Sequence, residues 1–352
     1  MRDLREAHAR LAARGPVGRA VVTGTWGSAP RGVGACLLAT ADGAMAGSIS
    51  GGCVEGATVD AIQDAIRSGA SRLMTWSVTQ EQAWDVGLAC GGTISVLVEP
   101  RIRPLLLELA GAEAGMVLIT ILSGPAAGAA AAVDEDGHIQ TEDAFPTALV
   151  PLVRPLALDA LGALRSRIER IPVAGADVEV FLEVMPRRPT LLLIGAVHVA
   201  AELTPLAVRL GYRVIVADGR EGFLTRERFP QADLLLPAWP AEAFAQVEVT
   251  GATCVCILSH DPKFDEPALE LALRSPAGYI GAIGAKATQA ERRARLRAAG
   301  WDETALARLH GPIGLDLGGR EPAEIALAIL AEITAVRYRR AATTGGRQGR
   351  PA

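Results

Sequence analysis

The sequence predicts a two-domain α/β protein: a mixed α/β N-terminal domain over residues 1–186, then a Rossmann-like, doubly wound parallel sheet over residues 187–340. Three observations point there. The chain has 352 residues, more than one typical hydrophobic core supports. Its second half alternates short apolar strands with helical stretches, the order that builds an open parallel sheet. Between the halves stands Met185-Pro186-Arg187-Arg188-Pro189, where prolines block regular pairing.

In the first half, residues 3–14 read as a helix stopped by Gly15-Pro16, and residues 17–23 and 35–40 as strands. Apolar residues from Val54 to Ile66 recur at three- and four-residue intervals, which predicts an amphipathic helix ending near Gly69. Residues 73–78 and 93–99 are β-branched strand candidates, and residues 101–125 hold a helix and a strand over 116–122. Residues 140–175 carry no clear period, whereas 178–184 alternate like a strand. In the second half, the apolar run 190–194 suits a strand covered on both faces. A helix to Leu210 follows, then strands near 212–217, 234–236, 253–258 and 279–283, a helix over 287–299 and a terminal helix over 321–340. Residues 341–352 lack apolar anchors and read as a disordered tail.

Composition narrows the function classes. Half of the residues are hydrophobic and 21% are charged, enough to bury cores and too apolar for a disordered chain. A net charge of −4 argues against a general nucleic-acid binder. No apolar run reaches the roughly 18–20 residues that span a bilayer, and the charged start Met1-Arg2-Asp3-Leu4-Arg5-Glu6 is unlike a secretory signal. Five cysteines (36, 53, 90, 254, 256) form no disulfide framework, which suits a reducing cytoplasm. No zinc pattern, Walker loop or Gly-x-Ser-x-Gly elbow occurs.

Chemistry concentrates in glycine-rich loops. Gly51-Gly52-Cys53 precedes the helix that begins near Val54, so the Cys53 thiolate gains from helix N–H groups and dipole. Glu55 adds an opposing charge two residues on, which turning to solvent would relieve. Cys90-Gly91 lies on a loop entering a strand, where no comparable dipole helps, so Cys53 is expected to have the lower pKa. Arg31 sits on a third such loop, after the first strand. In the second half Gly195, Val197 and Ala200 occupy the dinucleotide-fingerprint positions, and Asp218 lies 23 residues beyond Gly195, near the spacing of a ribose contact. Val197 stands where glycine normally admits a pyrophosphate, which counts against ordinary NAD(P) binding. His198 opens the following helix. His260-Asp261 follows the fourth strand, Gly281, Gly284 and Lys286 surround the end of the fifth, and Asp316 precedes the last helix. Lys263 and Lys286, the only two lysines, lie in these loops, and an ammonium suits a phosphate.

The segments GTWGSAPRGVGACLL (24–38), AGSISGGCVEG (46–56) and GLACGG (87–92) resemble the XdhC/CoxI family, and the likeness extends into the second half. It implies an accessory protein that binds molybdenum cofactor, supports its sulfuration and inserts it into a xanthine dehydrogenase-type molybdenum hydroxylase. Such a protein is a cofactor-insertion chaperone rather than a catalyst. The implied partners are the apo-hydroxylase, a cysteine desulfurase and a second copy in a homodimer, with no nucleic acid and no membrane. On this reading Arg31, Lys286 and the amides around Gly51, Gly52 and Gly91 hold phosphate or pterin, and Cys53 and Cys90 contact molybdenum or transferred sulfur. Glu55, Gly195, His198, Asp218, His260, Asp261, Gly281, Gly284 and Asp316 complete the cofactor-binding set. The runner-up is an NAD(P)-dependent oxidoreductase, favoured by the strand-glycine-helix opening and Asp218. A purely structural component of a hydroxylase complex, which binds a partner but no pterin, is the third reading.

Overall fold

The computed structural model describes the chain except residues 1–3, 28–30, 53, 79–91, 143, 174–175 and 345–352. It divides into two compact units, with the boundary between Arg187 and Arg188.

The first unit contains two five-stranded antiparallel sheets. Helix α1 (Leu4–Ala12) leads into strands β1 (Val17–Gly27), β2 (Cys36–Thr40) and β3 (Met45–Gly47). Helix α2 (Glu55–Ser68), β4 (Arg72–Val78) and β5 (Gly92–Glu99) follow, and the sheet order is β3-β2-β1-β5-β4. Helix α2 buries Ile62 and Ala65 against Ala20, Val22, Val96 and Val98. Gly18 permits this contact, since a Cβ there would lie 2.5 Å from Ile62 Cγ2.

The strands read at 116–122 and 178–184 pair at the centre of the second sheet, and the stretch without a clear period adds a helix and an edge strand to it. Helix α3 (Pro104–Leu109) precedes β6 (Met116–Ile121), β7 (Ala130–Asp134) and β8 (Ile139–Thr141). Helix α4 (Val150–Gly162), β9 (Arg167–Val173) and β10 (Ala176–Met185) complete it, in the order β8-β7-β6-β10-β9. Helix α4 is hidden in the sequence because Pro155 lies inside it, where proline lacks an N–H and is normally excluded. It holds because Val153, Ala157 and Ala160 are fully buried on the sheet with Val117, Ile119 and Leu182.

Charge joins the two sheets. Arg19 on β1 is 1% exposed. Its guanidinium bonds Glu99 at the end of β5 at 3.0 Å and Glu183 on β10. Arg103 extends the chain of charges, donating to Glu99 at 2.8 Å, Glu142 at 3.0 Å and the Gly128 carbonyl at 2.8 Å. A buried charge is tolerated only when paired in this way.

The second unit is a six-stranded parallel sheet, β13-β12-β11-β14-β15-β16. Its strands are β11 (Thr190–Ile194), β12 (Arg213–Ala217), β13 (Leu234–Leu236), β14 (Thr253–Ile257), β15 (Tyr279–Ala282) and β16 (Leu309–His310). Helices α5 (His198–Arg209), α6 (Pro240–Gln246), α7 (Pro262–Arg274), α8 (Lys286–Ala298) and α9 (Glu303–Ala307) connect them. Helix α10 (Pro322–Thr344) closes the unit. Separate apolar clusters cover the two faces of this sheet, as doubly wound folds require. Cys254 and Cys256 both belong to the same one of these clusters. The two-residue β16 was too short to read from sequence, and α10 runs four residues into the stretch expected to be disordered. Among the described residues no helix is long and apolar enough to cross a membrane.

Candidate functional site

In the first unit, Cys53, Cys90 and Gly91 lie outside the described residues. Gly51 and Gly52 adopt positive φ of 92° and 128°, which wraps residues 48–52 into a cage of donors. The cage encloses the Glu55 carboxylate. Oε1 accepts from the Ser48 hydroxyl at 2.8 Å and from the N–H groups of Ile49, Ser50 and Gly51 at 3.3, 2.9 and 2.9 Å. Oε2 accepts from the Gly52 N–H at 2.8 Å and from the Ser50 hydroxyl. Burial alone would raise the Glu55 pKa, but the bonds from Ser50, Ser48 and Gly51 outweigh it and hold the carboxyl far below its usual range.

This corrects two expectations. Glu55 does not turn to solvent; it is 8% exposed. The amides of residues 49–52 are not open to an incoming phosphate, because the carboxylate has already collected them. Arg31 is exposed, and with Gly47 and Cys36 it lines a cavity of about 140 Å³. That is well below the roughly 300 Å³ at which ligand pockets begin. Cys36 is the cysteine whose setting sequence left unread. Burial pushes its thiol pKa up, with Arg19 offsetting part and Glu183 adding to the rise, so it stays protonated.

In the second unit, sheet topology gathers several of the predicted residues. The order reverses between β11 and β14, the position where such sheets form a crevice. Gly195 has φ of 106°, and a Cβ there would meet the Ser259 nitrogen at 2.9 Å, so the loops after β11 and β14 touch. His198 and His260 are both exposed beside that contact. Asp261 caps α7, accepting from the Lys263 N–H at 3.0 Å. Lys286 is exposed at the first turn of α8, and neither α5 nor α8 has a side-chain N-cap bond. Their first-turn N–H groups and Lys286 are therefore open to an anion.

Asp218 departs from its predicted role. It is fully buried and accepts from the Ala196 N–H at 2.8 Å, while Arg220 grips both its oxygens at 2.9 and 2.8 Å. Burial opposes ionisation, but Arg220 and the Ala196 amide prevail and lower the pKa. A ribose hydroxyl would have to break this pairing. Gly281 serves packing, since a Cβ would meet Ile313 Cδ1 at 2.6 Å. Gly284 adopts φ of 136° where the chain turns into α8. Gln289 and Arg292 of α8 lock that turn through the Ile283 carbonyl at 3.1 Å each, and Arg292 also pairs with buried Asp265 at 3.2 Å. Asp316 is exposed in a separate cavity of about 300 Å³ bounded by Gly319, Arg320 and Ala328.

Sequence reasoning passed over an aromatic and cationic group beside Asp218. The Arg220 guanidinium lies 4.5 Å from the Phe223 ring centre and 5.4 Å from that of Phe264, which stacks on Trp239 at 4.2 Å. The available signal was Arg220 itself, two residues beyond the strand-ending aspartate.

Comparisons with known proteins agree with this architecture. Residues 191–333 match the XdhC Rossmann domain and residues 10–77 the XdhC and CoxI family. The chain is 26% identical over 323 residues to a Bacillus subtilis protein named as a probable xanthine dehydrogenase component, covering 89% of this chain and 91% of that protein. It is also 26% identical over 313 residues to the Escherichia coli "Molybdenum cofactor insertion chaperone PaoD", covering 88% of this chain and 80% of the relative. A crystal structure of a xanthine dehydrogenase from Bacillus halodurans shares the fold, with a TM-score of 0.76 at 24% identity over 96% of both chains. With both halves matched in order and the second folded as a Rossmann sheet, the chain belongs to the XdhC and CoxI family.

Proposed function

We propose that this chain is a cytoplasmic accessory protein that binds molybdenum cofactor, supports its sulfuration and inserts it into an apo molybdenum hydroxylase of the xanthine dehydrogenase type. The observation that carries the reading is the likeness, across 88% of the chain, to a protein named as a molybdenum cofactor insertion chaperone. The described residues fit the anionic end of such a cofactor in the second unit, at the uncapped starts of α5 and α8 with Lys286. They do not fit it at residues 48–52, where Glu55 occupies the donors. The cofactor would bring its own molybdenum and dithiolene chemistry. The protein's part is to bind, orient and release.

The crevice carboxylates support a carrier over a catalyst. Asp218 is paired with Arg220 and Asp261 caps its own helix, so neither is free for acid–base work. A cysteine desulfurase as sulfur donor and a homodimeric assembly complete the proposal. The test is equilibrium binding of isolated molybdenum cofactor to the full chain, followed by reconstitution of an apo-hydroxylase. Retention of cofactor with a gain of hydroxylase activity is expected. Failure to retain cofactor, together with tight NADPH binding, would replace this reading with the oxidoreductase.

A further inference from the structure

The largest cavity among those described in the first unit lies away from Arg31 and the 48–52 loop. It is an open cleft of about 940 Å³ between the rim of the first sheet, at Gly69 and Ser71, and strand β8. Gln140, Thr141 and Glu142 all line it. Successive strand residues point to opposite faces, so three in a row can border one cleft only if it meets the strand along its backbone edge.

Among the described residues that edge is unpaired: strand β8 is the last in its sheet and bonds β7 alone. The Glu142 N–H donates to the Ala130 carbonyl and the Asp134 N–H to the His138 carbonyl, so residues 138, 140 and 142 face β7. In an antiparallel ladder the alternate residues, Ile139 and Thr141, then turn their N–H and C=O groups outward. The opposite edge of the same sheet is β9, which carries Arg167, Glu169, Arg170 and Pro172, the charges and proline that keep an edge from pairing. Residues 139–141 are Ile-Gln-Thr and carry none of these guards.

The cleft is lined by charges of both signs, with Glu108 exposed on the same wall as Arg101. Arg103 on its wall is committed to Glu99, Glu142 and the Gly128 carbonyl, which fixes the wall in place. Arg101 beside it is exposed and forms no ion pair with any described residue.

We propose that β8 receives an extended peptide segment of a partner protein by strand addition, with a carboxylate side chain of that segment on Arg101. Backbone bonds to Ile139 and Thr141 would supply affinity, and Arg101 the selectivity. At about 3.3 Å per residue, a segment of three or four residues spans the strand. This inference does not depend on the cofactor reading.

The experiment selects displayed seven-residue peptide libraries on the full-length protein. An enriched peptide is then titrated by calorimetry beside a copy methylated at alternate amide nitrogens, whose side chains are unchanged. Enriched sequences are expected to place Asp or Glu among β-branched residues, and methylation on the β8-facing amides should weaken binding at least tenfold. Arg101→Glu should weaken it at least tenfold, and a peptide with lysine for the acid should recover binding to that variant. Thr141→Pro, which removes an outward N–H, should abolish selection. No enrichment, equal binding of the methylated peptide, or indifference to Arg101→Glu would overturn the proposal. So would a dimer, measured by ultracentrifugation, that Thr141→Pro dissociates, since a second copy would then be the occupant.

Discussion

The two glycine loops, residues 48–52 and 195–198, look alike in sequence and do opposite things. Each follows a strand, precedes a helix and invites the reading of an anion cradle. In the first, four backbone N–H groups and two hydroxyls converge on one internal carboxylate, Glu55. In the second, only the Ala196 N–H is taken by Asp218, and the start of α5 carries no side-chain cap. Glycine reports that the backbone can turn sharply. It does not report what the turned amides face, which depends on whether an acid is close enough to reach them.

The sharpest test of that contrast empties the first cage. Glu55→Ala should destabilise the protein by about 3–5 kcal/mol in urea unfolding, because several buried donors lose their acceptor together. Millimolar inorganic phosphate should restore part of the loss by filling the cage, while leaving wild type unmoved. If phosphate stabilises both equally, the cage is not the binding site.

The matching change in the second unit should be milder. Asp218→Ala strands two amides, those of Ala196 and Arg220, and frees the Arg220 guanidinium, which is partly solvated, so about 2–3 kcal/mol is expected by the same measurement. A loss larger than that of Glu55→Ala would reverse the ranking of the two loops.

Acid separates the carboxylates further. Glu55 and Asp218 have lowered pKa values, so their contribution is complete above the ordinary carboxylate range and is lost as pH falls through the folded values. Asp265 runs the other way. Burial, with Asp261 and Glu266 adding and Arg292 opposing, raises its pKa to about 6. Its folded form therefore binds the extra proton, and stability should fall as pH rises through about 6, by on the order of 2 kcal/mol between pH 4 and 7. Subtracting the pH–stability curve of Asp265→Asn from that of wild type should isolate this slope; identical curves would show that Arg292 neutralises the site.

The smallest effect concerns Val197. It sits at the N-cap of α5 with φ of −89°, a conformation any residue adopts, so glycine is not needed to start the helix. Val197→Gly should thus gain NADPH affinity by about tenfold, roughly 1.4 kcal/mol, at little expense in folding. Calorimetry of both proteins checks this, and tight binding by wild type would show that the valine never blocked the crevice.

Legibility followed the range of the interactions. The strand run 190–194, the turn at Gly195 and the helix after Val54 depend on neighbours in sequence and could be read directly. Arg19 could not: its partners Glu99 and Glu183 come from strands 80 and 164 residues away. Helix α4 broke the local rules at Pro155, and β9 shows no clear period because charged Arg167, Glu169 and Arg170 run along this edge strand. The role of Glu55 fell between these cases. Its partners are only three to seven residues off, but their direction is set by the positive φ of Gly51 and Gly52.

The Arg19 charges limit how the protein can be cut. Residues 10–77, the stretch recognised as the XdhC and CoxI family, include β1 and β4 but omit β5, which lies between them in the sheet. A fragment ending at residue 77 would leave a gap in the middle of its own sheet. It would also retain a cation whose two counter-charges had been discarded. The recognisable module is smaller than the unit that can stand alone, and any fragment made for separate expression has to extend at least through Glu183.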